Sequence, residues 1–182
     1  MDLKQPKFSK KEVSQKFNLK TLLGVDFSKD PDLRDQIGQA IIDKIIERTA
    51  SGKDVRGRDF KAYSKEYKSS DDFKDYKSSS KVNMELRGRM LDDIDILSQS
   101  ANMIKVGFED ELETLKAFNH NIGQTVPRRE FFGIQKKELA DIKREFRAEL
   151  SELKKAPPKE KKQTIGDLIT EVGLLGDLFG EG

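Results

Sequence analysis

Residues 126–134, V-P-R-R-E-F-F-G-I, constrain the fold of this chain more than any other stretch of its sequence. Pro127 fixes its own backbone and favours an extended conformation in the residue before it. Phe131 and Phe132 need an apolar core to enter, and Gly133 permits a turn that other residues adopt only at an energetic cost. None of these side chains suits bond-breaking chemistry. The stretch therefore predicts a structural junction of one definite shape between two helices.

The residue types on which many enzymes depend are scarce, because the chain has no cysteine and a single histidine, His120. Disulfides, thiolate zinc sites and cysteine nucleophiles are therefore excluded. His120 has no paired nucleophile in view, so we interpret it as a helix-end residue that bonds to the backbone or to a partner. Gly52-Lys53 lacks the second glycine of a phosphate-binding loop, and no serine lies in a G-x-S-x-G motif. The sequence predicts no enzymatic activity, no cofactor and no metal site.

The two ends of the chain differ in charge. Residues 1–20 carry six lysines and two acidic residues, whereas residues 163–182 carry four acidic residues and no basic one. Opposite charges at the two ends suit contacts between copies, and solvated tails are the alternative interpretation. No apolar run approaches the ~20 residues of a membrane span, and the N-terminus lacks the apolar region of a secretory signal. These features predict a soluble protein of the cytoplasm with no membrane partner.

The hydrophobic pattern predicts an α+β fold, in which a small antiparallel sheet that includes a hairpin packs against several helices. Apolar residues alternate at Ile94, Ile96, Ile104, Val106 and Phe108, on either side of a polar turn, which is the signal of a hairpin. Helical spacing predicts four helices. The first begins at Asp30-Pro31 and ends near Ser51-Gly52. The second runs over 84–93, and the third runs over 109–121 with Leu112, Leu115 and Phe118 inward. The fourth follows Gly133 as one straight helix through Leu153.

Three regions follow from this pattern. Residues 1–28 are predicted to be an extended N-terminal arm with one short helix at 9–17, and residues 29–155 to be the core domain. Residues 156–182 are predicted to be a linker and a C-terminal docking tail, because helically spaced apolar residues are interrupted there by glycines. Folding of this tail back onto its own core is the alternative. The candidate interface residues of the tail are Leu168, Leu175, Leu178 and Phe179.

Residues 53–81 form a long polar connection in which tyrosines alternate with basic residues. Tyr63 and Tyr67 could stack on single-stranded nucleic acid, as aromatic side chains do in many such proteins. Several acidic residues interrupt the positive field on which phosphate binding depends. A regulatory or packaging-associated protein that binds nucleic acid through this segment is therefore the alternative function, and both tyrosines are candidate interface residues.

An ordered set of motifs carries a family likeness. The segments G-K-D-V-R-G-R-D-F-K-A-Y-S-K-E-Y, V-N-M-E-L-R-G-R-M-L, a hairpin ending in V-G-F, K-A-F-N-H-N-I-G and V-P-R-R-E-F-F-G-I follow one another. Over about residues 32–154 this order resembles the virion-morphogenesis or tail-completion proteins of phages, and it is similar to the neck proteins that join head to tail in long-tailed phages. The residues that match the family's motifs are Gly88, Met90, Ala117, His120, Gly123, Pro127, Arg129, Phe131, Phe132 and Gly133.

The resemblance implies a small α+β fold and a non-catalytic virion component that forms a homo-oligomeric ring, for which six copies is one candidate number. It implies other neck, connector and tail proteins as partners, contact with DNA only by its passage through the channel, and a location in the virion after assembly in the host cytoplasm. Arg129 and His120 would then lie at interfaces, with Arg129 paired either to a carboxylate across the subunit boundary or to its own chain. Two features depart from the family: Gln135-Lys136 replaces the usual polar helix cap, and the arm and tail have no counterpart.

Overall fold

A computed structural model describes residues 5–77, 80–84 and 88–155 of the chain. The strands are β1 (Lys7–Ser9), β2 (Glu12–Asn18), β3 (Ile94–Gln99) and β4 (Met103–Phe108). The helices are α1 (Leu19–Leu23), α2 (Pro31–Ala50), α3 (Lys65–Ser69), α4 (Asp71–Tyr76), α5 (Arg89–Asp92), α6 (Glu111–Ile122), α7 (Lys136–Glu145) and α8 (Arg147–Lys155), with a 3-10 turn at Phe27–Lys29. The predicted α+β class is confirmed.

The four strands form one antiparallel sheet in the order β1-β2-β4-β3. The predicted hairpin is confirmed as β3 and β4, with a register shift between Ile96 and Ser98 that the alternation did not indicate. An isolated two-stranded hairpin is marginal in water, so this one needs further strands or another subunit. The chain's own β2 supplies the next strand, because it pairs with β4 from Ser14 opposite Gly107 to Asn18 opposite Met103.

The N-terminal segment corrects our prediction of an arm. Residues 9–17 contain no helix; they belong to β1, the turn after it and β2, and Val13 and Phe17 are buried in the core. The spacing of four between Val13 and Phe17 fits one face of a helix and equally one face of a strand. Pairing with a strand about ninety residues further along decides between them, so at least residues 7–23 belong to the core rather than to an arm.

Helices cover one face of the sheet. Phe17 lies opposite Ile104 on that face, and α2 packs closely there because Gly38 has no side chain: a Cβ added to it would lie 2.6 Å from Ile96 Cδ1. The other face carries polar side chains, among them Lys105, whose ammonium lies 2.9 Å from Glu12 Oε1. The fold is thus a layer of helices over a sheet with one polar face, as is typical of antiparallel sheets.

The first predicted helix is confirmed, and two later ones are revised. Asp30 accepts a hydrogen bond of 2.9 Å from the Leu33 N–H and so caps α2 at its predicted start. The helix predicted over 84–93 does not begin at Met84, which has a φ of 59°, and α5 covers only Arg89–Asp92. The straight helix predicted after Gly133 is two helices that meet at Phe146, which has φ −93° and ψ 25°.

The long connection over 53–81 contains α3 and α4, which are capped by the hydroxyl groups of Ser64 and Ser70. None of the helices in the described part of the chain combines the length and apolar character that crossing a bilayer requires. The tail residues Leu168, Leu175, Leu178 and Phe179 lie outside the described residues. The prediction that the tail docks on a partner therefore stays a prediction.

Candidate functional site

A cavity of about 650 Å³ lies between the connection that carries α3, the helices α5 and α6, and the start of the junction at residues 125–129. We call it the tyrosine pocket. Four residues predicted separately as interface residues all line it: Tyr63, Tyr67, His120 and Arg129. Nothing in the sequence indicated that these four residues would meet. The remaining polar lining of the pocket includes Asp72, Arg89, Glu113 and Lys116.

The junction at residues 126–134 places one wall of the pocket, and it has the definite shape that the sequence predicts. Phe131 and Phe132 are fully buried, and both of their N–H groups donate to Asn121 Oδ1, at 3.1 and 3.0 Å. Arg48, from the end of α2, donates to the carbonyl oxygens of Phe131 at 2.6 Å and Gly133 at 2.8 Å. Sequence analysis missed Asn121 and Arg48, because nothing local marks a helix residue that hydrogen-bonds a distant backbone.

Arg129, a candidate interface residue, is only 4% exposed. Its Nε donates to the Lys61 carbonyl oxygen at 3.1 Å, and its guanidinium carbon lies 5.1 Å from the centre of the Tyr63 ring. Burial lowers the pKa of Arg129 from its usual value. Of the two alternatives for its pairing, these contacts place Arg129 against its own chain, through a carbonyl group and a cation–π contact.

Glu113 lies in this pocket and was not among the residues that the sequence singled out. It is 7% exposed; its Oε1 accepts from Lys116 Nζ at 2.6 Å, while its Oε2 is buried with no hydrogen-bond partner among the described residues. Burial without a partner is costly for a carboxylate oxygen. The pocket is therefore lined in part by a carboxylate whose second oxygen is enclosed by the protein.

The face of helix α6 that is buried differs from the face that we predicted. Leu112 and Leu115, predicted inward, are 67% and 37% exposed, and Phe118 is partly buried against the core. The buried residues of this helix are Glu113, Thr114, Ala117 and Asn121. Their spacing of three and four residues was a readable signal, but most of them are polar, and a hydrophobic pattern does not identify a polar buried face.

Aromatic rings close the pocket on the side of α3 and α4. The ring centres of Tyr63, Tyr67 and Phe73 lie 5.2 to 5.5 Å from one another, and the phenylalanine ring meets both tyrosine rings edge to face. Burial raises the pKa of both tyrosines, so their hydroxyl groups are neutral at neutral pH. Tyr63 and Tyr67 line the pocket with apolar rings and two hydroxyl groups, and Phe73 packs against both of them.

His120 lies at the end of α6, as the sequence predicts for a helix-end residue. Its carbonyl oxygen accepts from the Arg129 N–H at 2.7 Å, while the buried Nδ1 of its ring has no partner in the part of the chain that the structure describes. Burial, together with the nearby Arg129 guanidinium, lowers the pKa of His120 to about 4. The imidazole is therefore neutral at neutral pH, and its Nδ1 is a second enclosed polar atom.

The lining of the tyrosine pocket suits the binding of a ligand. Within residues 5–77, 80–84 and 88–155, no group of three or more histidine, aspartate or glutamate side chains is placed to hold a metal ion. The pocket instead combines apolar walls, from Met84, Met90, Val126 and Pro127, with a few buried polar atoms. That combination is typical of a site that binds a small molecule or a peptide segment.

Comparisons of this chain with protein-family models, with curated proteins and with solved structures found no match.

The buried imidazole gives a pH prediction. A histidine with a folded pKa near 4 and an unfolded pKa near 6.5 binds its proton only in the unfolded chain between those values. The free energy of unfolding should therefore fall as the pH drops from about 6.5 to about 4, by on the order of 2 kcal/mol from this residue alone. Urea denaturation of the wild type and of His120→Gln, at pH 7 and pH 4, measures this difference.

Since His120 is the only histidine in the chain, the other titrating groups contribute equally to both proteins and cancel. The wild type should lose more stability on acidification than His120→Gln does. Parallel pH dependences for the two proteins would show that the imidazole titrates normally in the folded state.

Proposed function

We propose that this protein is a structural virion protein of a tailed phage. In this proposal it forms a homo-oligomeric ring at the head–tail neck or at the head-proximal end of the tail, and takes part in tail completion and head–tail joining. The ordered motifs over residues 32–154 support it, because they resemble phage tail-completion and neck proteins. The α+β fold, with its hairpin and its covering helices, agrees with what that resemblance implies.

The single structural observation that carries the proposal is the apolar outer face of α6. Leu112, Leu115 and Ile122 are 67%, 37% and 44% exposed. At 100° per residue they fall within one narrow stripe of the helix. Asn119 lies between Leu115 and Ile122 within this stripe, so its apolar part is Leu112 with Leu115 and, two turns on, Ile122. Exposed apolar residues that share one face of a helix mark an interaction surface more often than scattered single residues do. In a ring, each subunit uses one such surface against a different surface of the next subunit.

The sheet offers further contact sites. The described sheet ends in β1 on one side and β3 on the other, and each edge has a row of backbone groups without a strand partner among the described residues. Exposed edges of this kind are places where another chain can add a strand. β1 has only three residues, whereas β3 has six, so β3 is the edge better suited to a subunit contact.

The apolar face of α6 gives a test of assembly. The double variant Leu112→Glu/Leu115→Glu should convert the oligomer into a monomer, because both side chains would bring charge into the subunit contact. The folding stability of the monomer should change little, since both leucines are already exposed. Sedimentation velocity measures the oligomer, and thermal denaturation measures the fold.

Lys143→Glu on α7 is the matched control: it changes the net charge by the same amount at an exposed position, and it should leave the oligomer intact. In infected cells, the α6 variant should yield heads and tails that are not joined. A wild-type protein that is monomeric at all concentrations, together with normal particles in the absence of the gene, would refute the neck proposal.

The nucleic-acid alternative has less support. The rings of Tyr63, Tyr67 and Phe73 pack against one another, which leaves less of each face free to stack on a base. Some of the cations of this segment are paired with carboxylates, as Arg58 is with Asp54 at 2.7 Å and Lys53 with Asp59 at 2.7 Å. A steeply salt-dependent affinity for DNA or RNA that is lost when Lys61, Lys65 and Lys68 are neutralised would favour this alternative instead.

A further inference from the structure

The tyrosine pocket has the chemistry of a site for an apolar peptide segment. Its walls are aromatic and aliphatic, and they come from Tyr63, Tyr67, Met84, Met90, Val126 and Pro127. Walls of this kind bind apolar side chains by removing their surface from water.

The charge of the lining adds a second requirement. The ionised side chains around the pocket are the cations Arg89, Lys116 and Arg129 and the carboxylates Asp72 and Glu113. The carboxylate of Glu113 already contacts Lys116, and burial of Arg129 makes its uncompensated positive charge unfavourable. Arg89 is exposed at the rim. An occupant with carboxylates beside its apolar residues therefore fits this pocket better than a basic one.

The chain itself contains a segment of this composition. Residues 164–182 carry eight large apolar residues and four carboxylates, with no lysine or arginine. Their sequence, T-I-G-D-L-I-T-E-V-G-L-L-G-D-L-F-G-E-G, places acidic residues between the apolar ones. We propose that the tyrosine pocket binds the C-terminal segment of a neighbouring copy of this protein, with Phe179 against Tyr63 and Tyr67.

The course of the last helices favours a neighbouring copy over the same chain. Glu138, in the first turn of α7, accepts a hydrogen bond from Arg48 at the end of α2. Further along α7, Glu145 and Asp141 lie near Lys44 of α2. Lys44 has a raised pKa, mainly because of Glu47 and to a smaller extent because of these two carboxylates. Helix α7 therefore runs back along α2, away from the junction that forms the pocket wall. The opposite end of α2 is the one near the hairpin turn, where Arg34 donates to the Ser100 carbonyl oxygen.

The choice of a neighbouring copy rests on the proposed assembly of copies. Between Lys155, at the end of α8, and the proposed anchor Phe179 lie 23 residues, which would reach roughly 80 Å if fully extended. Chain length therefore permits docking on the same chain as well, and a cross-link between two chains separates the two arrangements.

The test uses the full chain with one reporter. The protein has no tryptophan, so Phe179→Trp introduces a single fluorophore at the proposed anchor. We expect blue-shifted emission in the oligomer that moves to longer wavelength on dilution to the monomer. Adding Thr125→Glu, a carboxylate at an exposed position of the pocket lining, should abolish the blue shift by repelling the acidic segment, whereas Thr125→Gln should preserve it.

A second measurement does not depend on tryptophan. Because the chain has no cysteine, single-cysteine proteins Thr125→Cys and Gly180→Cys can be mixed and oxidised, and they should form a disulfide between two chains. The pair Gln36→Cys and Gly180→Cys is the control, since Gln36 is exposed on α2 outside the pocket lining, and it should link much more slowly.

The outcomes separate this inference from the proposed function. An oligomer with tryptophan emission typical of full exposure and no preferential cross-link would overturn the pocket inference and leave the ring proposal standing. A blue shift that is independent of concentration, with no link between chains, would show docking in the same chain and overturn the choice of a neighbouring copy. A monomer at all concentrations would refute both proposals.

Discussion

Replacing Arg48 with methionine should destabilise the protein by about 3–5 kcal/mol, the cost of breaking a buried ion pair by removing one partner. Arg48 Nη1 lies 2.6 and 2.5 Å from the two carboxylate oxygens of Glu138, and both residues are less than 10% exposed. The Nη2 group donates to the carbonyl oxygens of Phe131 and Gly133. The variant would leave a buried carboxylate and two buried carbonyl groups without this donor, as urea denaturation would show.

Two matched variants make this test specific. In Arg48→Met/Glu138→Gln, the buried carboxylate without a partner is replaced by a neutral amide. The amide keeps an oxygen that can accept from the Gln135 N–H, as Glu138 does at 2.7 Å. This double variant should therefore recover part of the lost stability. Arg144→Met breaks an exposed ion pair with Asp141 and should change stability by less than about 1 kcal/mol. A small effect of Arg48→Met would mean that Arg48 does not hold the junction. A double variant no more stable than the single one would place the cost in the lost carbonyl contacts.

The parts of the fold that the sequence predicted correctly are those with strong local signals. Helix α2 combines an aspartate cap, a proline in its first turn and a broad apolar face, and all of these act within a few residues of one another. The hairpin combines alternation with a polar turn, and its two strands are neighbours in sequence. In both cases the residues that decide the structure lie close together in the chain.

The errors occurred where distant parts of the chain decide the structure. Nothing near Val13 and Phe17 distinguishes a helix from a strand, and the choice depends on Ile104 and Val106 in β4. The orientation of α6 was missed because Asn121 and Glu113 are buried, while Leu112 faces outward. A hydrophobic pattern assigns polar residues to the surface. The assignment is wrong where a buried polar side chain hydrogen-bonds a distant part of the backbone or lines a pocket.

The sequence predicted individual residues of the candidate site, but it did not predict that they line one cavity. Tyr63, Tyr67, His120 and Arg129 were each selected for a different local reason, and only the folded chain brings them to one cavity. Glu113 was not selected, since a carboxylate in a first helical turn is common for the helix dipole alone. Its burial beside the pocket is visible only in the folded chain.

Asn121→Ala should also destabilise the protein strongly, by about 2–6 kcal/mol, because two buried donors are left unpaired and each costs about 1–3 kcal/mol. Asn121 is fully buried, and its Oδ1 accepts from the N–H groups of Phe131 and Phe132, while its amide nitrogen donates to the Ala117 carbonyl oxygen at 2.7 Å. One side chain thus joins α6 to the junction and fixes the backbone that places both phenylalanines in the core. Chemical denaturation measures the loss, and Asn119→Ala, an amide at a partly exposed position of the same helix, is the control.

Asn121→Asp separates the loss of the acceptor from the loss of volume. The aspartate keeps an oxygen for the two N–H groups, but its second oxygen faces the Ala117 carbonyl oxygen, and a buried negative charge is unfavourable there. A protonated carboxyl group could donate to that carbonyl oxygen and still accept from both N–H groups. The Asn121→Asp variant should therefore be unstable at neutral pH and recover stability relative to the wild type on acidification. Two results would contradict this role of Asn121: an Asn121→Ala variant as stable as the wild type, or an Asn121→Asp variant that does not recover stability on acidification. Either result would mean that the apolar contacts of Phe131 and Phe132 hold the junction.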